Sequence, residues 1–188
     1  MKTPDVSFVI PARNAEAWVA EAIGSCLAQS YKNVEVVCVD DGSRDATWKV
    51  MKWYEKDPRV KTMIHPISMG RGKSRNDGCS MALAPFLAML DADDLSAKNR
   101  AKDTIKAFLK ARGDALVHGG AAFVDALCSE RGVFIPEPFN PEKAFDSKGP
   151  LENRIVHSTM AFTKGFWKKF PYDEGEYSEM GLDDWHLQ

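Results

Sequence analysis

Four short apolar runs, each followed by a stretch of different periodicity, constrain this chain more than any other feature. DVSFVIPA (5–12), VEVVCV (34–39), VKTMIH (60–65) and FLAML (86–90) read as β-strands. VEVVCV is almost continuously apolar, the pattern of a parallel strand covered on both faces. Between the runs lie helical patterns. In AEAWVAEAIGSCLAQS, Trp18, Val19, Ala22, Ile23, Cys26 and Leu27 recur at helical spacing. ATWKVMKWYEKD follows Ser43 and Asp45, either of which can cap a helix, and Pro58 closes it. GKSRNDGCSMALA reads as a third helix. SAKNRAKDTIKAFLKARG reads as a fourth, with Ile105, Phe108 and Leu109 inward and Gly113 as its stop. The order βαβαβαβα predicts an α/β fold with a doubly wound, mostly parallel sheet.

The second half has another grammar. DALVHGGAAFVD and GVFIPEPF read as strands without clear helices between them, and four prolines make 136–150 rich in loops. A smaller mixed portion is therefore expected after about residue 114, within a single domain spanning 1–188. The 188 residues are 44% hydrophobic, enough to build one sizeable core. The net charge of −2 and the absence of a basic stripe argue against nucleic acid as a partner. Cys26, Cys38, Cys79 and Cys128 form no C-x-x-C pair. A zinc site is not expected from them, and buried, reduced thiols in a cytoplasmic protein are. MKTPDVSF has no apolar signal core, no run is long enough to span a bilayer, and the ending GLDDWHLQ reads as a helix cut short, so a longer parent chain is expected.

The strand ends carry the chemistry. Asp40-Asp41 follow the second strand, and Asp91, Asp93 and Asp94 follow the fourth. Ligands of open α/β sheets bind at these carboxyl ends. Clustered carboxylates repel one another, and a hard cation such as Mg²⁺ or Mn²⁺ relieves that repulsion while attracting a phosphate. A helix cap alone explains one acidic residue, not three with a second pair two strands away. Asp40-Asp41 also matches the acidic pair of a receiver domain, but that leaves D-A-D-D without a role. SMGRGKS mimics a phosphate-binding P-loop, yet Ile67 stands where the first glycine must be. No G-x-G-x-x-G follows the first strand, which argues against a dinucleotide site.

Three stretches together carry a resemblance. VSFVIPARNAEAWVAEAIGSCLAQSYKNVEVVCVDDGSRDAT resembles the opening of family 2 glycosyltransferases, which have the GT-A fold. GRGKSRNDGCSMA and FLAMLDADDL resemble that family's R-N-x-G segment and its D-x-D strand end. IVHSTMAFTKGFWKKFPYDEG followed by DDW resembles its acceptor-side segment ending in the E-D motif. The likeness runs from residue 5 to residue 186.

The resemblance implies a nucleotide-diphosphate sugar donor (a UDP-sugar before a GDP or dTDP one), a divalent cation and inversion at the anomeric carbon. It also implies a glycan or lipid-linked acceptor. By position, Pro11, Ala12, Arg13 and Asn14 with Asp40 and Asp41 line the nucleoside pocket, Asp41 accepting from a uracil N–H. Arg71 and Arg75 fall near the diphosphate. Asp91, Ala92 and Asp93 form the D-x-D, with Asp93 and Asp94 toward metal and ribose. Asp184 matches the catalytic base, with Asp183 where glutamate is usual. Arg13 replaces a common aromatic, so base stacking becomes guanidinium stacking. Ala84-Pro85 replaces a common Gly-acidic pair. His157 is placed either toward the donor or as a structural histidine. Trp18, Trp48, Trp53 and Trp167 are expected in the core, and Trp185 against an acceptor sugar. The KNRAK and WKK charges read as solvated faces able to touch anionic lipid, which leaves room for peripheral attachment at the inner membrane surface. Two alternatives stand beside the transferase: a GT-A domain that binds sugar nucleotide without turnover, and a nucleotidyltransferase, which should carry a glycine-rich basic loop where this chain has PARNAEAW.

Overall fold

The computed structural model describes residues 2–124, 130–135 and 156–175. In chain order the elements are β1 (Val6–Ala12), α1 (Val19–Leu27), β2 (Val34–Asp40), α2 (Thr47–Tyr54), β3 (Val60–Ile64), α3 (Arg71–Met81), β4 (Phe86–Met89), α4 (Arg100–Ala111), β5 (Leu116–Val117), β6 (Ala121–Val124), β7 (Glu130–Phe134), a 3₁₀ turn (His157–Thr159), β8 (Ala161–Thr163) and α5 (Lys164–Lys169). The main sheet has the order β3-β2-β1-β4-β8-β5. β1 pairs in parallel with both β2 and β4, and β2 with β3. β8 runs antiparallel between β4 and β5. The expected α/β, mostly parallel sheet is therefore present.

Alternation along β1 sends its side chains into two cores. Phe8 and Ile10 join Val19, Ile23 and Cys26 of α1, Met51 of α2 and Phe108 of α4 on one face. Val9 joins Val37, Cys79 of α3, Leu87, Met89 and Phe162 on the other. Each fully buried aliphatic of this kind contributes about 1.5–3 kcal/mol. α3 lies hard against the sheet at Gly78, where an added Cβ would come within 2.5 Å of Val9 Cγ1. Cys26, Cys38 and Cys79 are buried free thiols, as expected.

Four sequence expectations are corrected. DALVHGGAAFVD is two strands, not one. It breaks at Gly119-Gly120, so that β5 joins the main sheet while β6 pairs with β7 in a separate two-stranded sheet. Gly120 sits so close to β7 that a Cβ there would meet Phe134 O at 2.6 Å. Leu109 is exposed, because Ala101, Thr104 and Phe108 define the buried stripe of α4 and Leu109 falls one position off it. Trp18 and Trp53 are 52% and 59% exposed rather than in the core. α1 begins at Val19, four residues later than its apolar pattern, since Asn14–Glu16 bond to another loop instead. The loop-rich stretch 136–150 and Cys128 lie outside the described residues.

Candidate functional site

The parallel strands run outward from β1 in opposite directions, to β2 and β3 on one side and to β4 on the other. Their carboxyl ends part there and leave the crevice typical of an open α/β sheet. A cleft of about 990 Å³ occupies it, walled by Pro11–Ala15 and Trp18 after β1, Asp41 after β2, Ser68–Arg71 and Ser74 at the start of α3, and Asp91–Asp93 after β4.

The first wall is stitched to the second. Asn14 N donates to Ser43 Oγ at 2.9 Å, Ala15 N to Thr47 Oγ1 at 2.7 Å and Glu16 N to Asp45 Oδ2 at 3.2 Å. In return Arg44 N donates to Asn14 Oδ1 and Ala46 N to Glu16 Oε2. Asp45 also accepts from Thr47 N, two residues on, just ahead of α2, whose N-cap position is Ala46. The loop after β1 is thus tied to polar side chains of the D-D-G-S-x-D stretch, and regular helix begins only at Val19.

Asp41 is buried and its carboxylate is fully engaged. Oδ1 accepts from Met69 N at 2.7 Å and faces His65 Nδ1 at 2.9 Å; Oδ2 accepts from Ser68 Oγ at 2.6 Å and Gly70 N at 3.1 Å. Burial pushes its pKa up, but these donors outweigh it and hold the group below the ordinary carboxylate value. Gly42 makes the approach feasible. Its φ is +65°, and an added Cβ would meet Ile67 C and Ser68 N at 2.7 Å. Asp40 is fully buried behind the cleft, where its Oδ1 accepts from Ser43 N.

At the β4 end, Asp91 N donates to Ser158 Oγ at 3.0 Å. Asp91 Oδ1 lies 3.3 Å from Arg75 Nη2 and 3.8 Å from His157 Nδ1. Burial raises the Asp91 pKa; His157, Arg75 and Ser158 together pull it well below the carboxylate range. Arg75 is 1% exposed and its guanidinium sits 5.4 Å from the Tyr172 ring centre. Tyr172 in turn bonds His157 Nε2 through its hydroxyl at 2.9 Å, and Asn76 joins Tyr172 and Trp167. His157 is therefore a buried structural histidine packed under Asp91.

Asp93 and Asp94 are exposed. Loss of hydration raises the Asp94 pKa, and the charges of Asp91 and Asp93 push the same way. A hydrogen bond from Ser158 and the charge of Arg100 oppose that rise without cancelling it. Among the described residues no three carboxylate, imidazole or thiolate side chains converge as a ready-made cage. Two carboxylates are nevertheless the usual protein share for Mg²⁺ or Mn²⁺ when phosphate oxygens complete the shell, so Asp93 and Asp94 fit such an ion.

The cleft brings together Pro11, Ala12, Arg13, Asn14, Asp41, Arg71, Asp91, Ala92 and Asp93 of the sequence-predicted set. Asp40 and Arg75 stand behind it, and Asp94 lies beside it without lining it. Asp183, Asp184 and Trp185 lie outside the described residues. Sequence reasoning missed Ala15, Trp18, Ser68, Met69, Gly70 and Ser74. SMG immediately before a predicted helix is the signal in the sequence that marks this wall.

A sequence profile described as Glycosyl transferase family 2 matches residues 7–169. An uncharacterized glycosyltransferase of Haemophilus influenzae is 34% identical over 126 residues, 66% of this chain and 50% of the relative. The UDP-Glc:α-D-GlcNAc-diphosphoundecaprenol β-1,3-glucosyltransferase WfgD of Escherichia coli is 35% identical over 106 residues, 56% of this chain and 41% of the relative. The chain thus spans about half the length of the curated relatives it matches. Among solved structures, residues 1–349 of Staphylococcus aureus TarS in complex with UDP align over 97% of this chain and 54% of theirs, with a TM-score of 0.74 at 22% identity. The mannosyltransferase PcManGT of Pyrobaculum calidifontis, in complex with GDP-Man and Mn²⁺, aligns over 95% and 50%, with a TM-score of 0.64 at 17% identity. Those two likenesses are of fold. The profile match covers most of the chain, its fold is GT-A, and the chain belongs to glycosyl transferase family 2.

Proposed function

We propose that this chain carries the donor side of an inverting glycosyltransferase. It would move a sugar from a nucleotide-diphosphate sugar, a UDP-sugar first, to a hydroxyl of a glycan or lipid-linked acceptor. The observation that carries the reading is one cleft walled by Pro11–Asn14 and Asp41 at one end and by Asp91–Asp93 at the other. The nucleoside would lie at the first end and the diphosphate with its cation at the carboxylate end.

The roles follow from the chemistry. Pro11–Asn14 pack beside the nucleoside, and the exposed Arg13 guanidinium and Trp18 indole offer flat faces for the base. Asp41 reaches a base N–H only in exchange for one of its four protein donors, of which Gly70 N is the most distant. Its main role is to hold the Ser68–Gly70 wall. Arg71 faces the cleft where the diphosphate would lie. Arg75 acts through Asp91, not on the donor. Asp93 and Asp94 would hold Mn²⁺ or Mg²⁺, which supplies Lewis-acid neutralisation of the departing diphosphate. An acceptor hydroxyl attacks the anomeric carbon as the bond to the diphosphate oxygen breaks. Its proton passes to a carboxylate, assigned to Asp184 with Asp183 beside it. Such general-base help is worth roughly 10²–10⁴-fold. Attack opposite the leaving group inverts the centre.

WfgD, by its name, uses UDP-Glc and a lipid-diphosphate acceptor, which supports the donor and acceptor classes. PcManGT with GDP-Man and Mn²⁺ supports the cation. The buried free thiols support a cytoplasmic setting. No helix among the described residues is long and apolar enough to cross a membrane. A lipid-linked acceptor would present its glycan at the membrane surface, with the KNRAK and WKK charges as the candidate contacts.

Calorimetric titration of UDP, GDP and dTDP with Mn²⁺ or chelator, on wild type and Asp93→Asn, tests the reading. Metal-dependent binding of UDP, lost in the variant, is expected. Folded protein that binds no nucleotide would overturn it.

A further inference from the structure

His65 follows β3 and is 7% exposed. Its two ring nitrogens face two different carboxylates. Nδ1 is 2.9 Å from Asp41 Oδ1, and Nε2 is 2.9 Å from Asp77 Oδ2 on α3. Asp77 also accepts from Lys73 Nζ at 2.5 Å. A neutral imidazole has one N–H and one lone pair, so it can satisfy only one of these contacts and sets its lone pair against the other carboxylate. The doubly protonated ring donates to both. The charged groups facing this ring are Asp41 from the end of β2, and Asp77 with Lys73 from α3. Glu174 acts more remotely through its charge on Lys73.

The two carboxylates are the two anchors of one wall of the cleft. Asp41 accepts from Ser68 Oγ, Met69 N and Gly70 N. Asp77 lies on the helix that Arg71 begins. A ring that bridges them fixes Ser68–Arg71 from below and from behind at once.

We propose that His65 is a positioning residue for the donor cleft: an imidazolium bridge between Asp41 and Asp77 that holds the Ser68–Arg71 wall in its nucleotide-binding form and makes binding sensitive to pH. The proposal rests on the donor-site reading above. Its direction follows from proton count. As pH rises and the ring loses its second proton, one of the two contacts turns repulsive, the wall loosens and affinity falls.

The test is calorimetric titration of UDP with Mn²⁺ between about pH 5 and 8, the span in which histidines ordinarily change charge. Wild type, His65→Gln and Asp77→Asn are compared. Wild-type affinity should fall with rising pH by roughly tenfold, the weight of one charge-assisted hydrogen bond. In Asp77→Asn the side-chain amide can donate to Nε2, so a singly protonated ring satisfies both sides. That variant should bind across the range with only the slope due to the nucleotide's own phosphate. His65→Gln should bind weakly and without the histidine slope. Equal slopes in wild type and Asp77→Asn would overturn the bridge, as would wild-type affinity in His65→Gln. Ring ¹⁵N spectra, assigned by the signals missing in His65→Gln, read the bridge without any nucleotide: two N–H nitrogens are expected at the acid end. A single ring proton throughout overturns the inference even if UDP binds. Failure of folded protein to bind UDP at any pH overturns the donor reading and the positioning role with it, while the spectra still decide whether the bridge exists.

Discussion

Asp40 and Asp41 leave β2 much as Asp91, Asp93 and Asp94 leave β4, yet the first pair is turned into the protein and most of the second set toward solvent. Asp41 is surrounded by three protein N–H and O–H donors and a histidine ring. Asp91 is likewise held from behind, by Arg75 and Ser158. Asp93 and Asp94 are exposed side by side, and loss of hydration, with the charges of Asp91 and Asp93, raises the Asp94 pKa against the opposing pull of Ser158 and Arg100. One sequence signature, carboxylates after an apolar strand, therefore covers two physical states. In the first, at Asp41, the charge is matched by protein donors and serves as a brace. In the second, at Asp93 and Asp94, it is exposed, at the place where we propose a cation. The difference lies in how completely groups from distant segments enclose each carboxylate, not in how many carboxylates there are.

The sharpest way to break this comparison is Asp41→Asn. The amide turns an N–H toward donors, so the variant should lose about 3 kcal/mol, read as a lower urea midpoint. A loss under about 0.5 kcal/mol would remove the distinction between brace and cation site. Gly42→Ala should cost nearly as much, about 2–3 kcal/mol, because it adds both a strained φ and a collision with the Ile67–Ser68 backbone. Nucleotide binding should weaken with it, since the same loop walls the cleft.

Acid unfolding sharpens the contrast by sign. Asp41 and Asp91 have folded pKa values below the unfolded carboxylate value of about 3.9. Their contribution is fully present above that value and is lost as pH falls below it toward the folded ones. Asp94 is raised, so it works in the opposite sense: protonating it relieves the native state. Stability measured against pH should therefore fall steeply on the acid side in wild type and less steeply in Asp41→Asn. The smallest stability effect belongs to Asp93→Asn and Asp94→Asn. Each should change metal-free stability by less than about 0.5 kcal/mol, as exposed substitutions do, while abolishing the Mn²⁺ dependence of UDP binding. A large loss of stability in either would make it a brace like Asp41.

Much of the fold was legible in the residues. The four parallel strands and their helices follow from local periodicity, because a strand covered on both faces must be continuously apolar and an amphipathic helix must repeat near 3.6. The cleft followed too, since acidic strand ends mark the carboxyl edge of the sheet. The errors fell where distant segments intervene. Trp18 has a core-like spacing, but the first turn of its expected helix is given up to bonds with Ser43, Asp45 and Thr47. Leu109 matches the apolar repeat of α4, but the face that packs on the core is the Ala101, Thr104 and Phe108 stripe. β8 is three residues long and could not be read from AFT alone; pairing with β4 and β5 creates it.

By itself, then, the sequence determined the order of the elements, the parallel core and the acidic edge, all of which depend on neighbours a few residues away. Only the tertiary structure decided which carboxylates are satisfied. His65 and Asp77, 24 and 36 positions beyond Asp41, and Ser158, 67 beyond Asp91, have no local signature. A charge's solvation is set by every group that packs around it, and those groups are assembled only when the chain has folded.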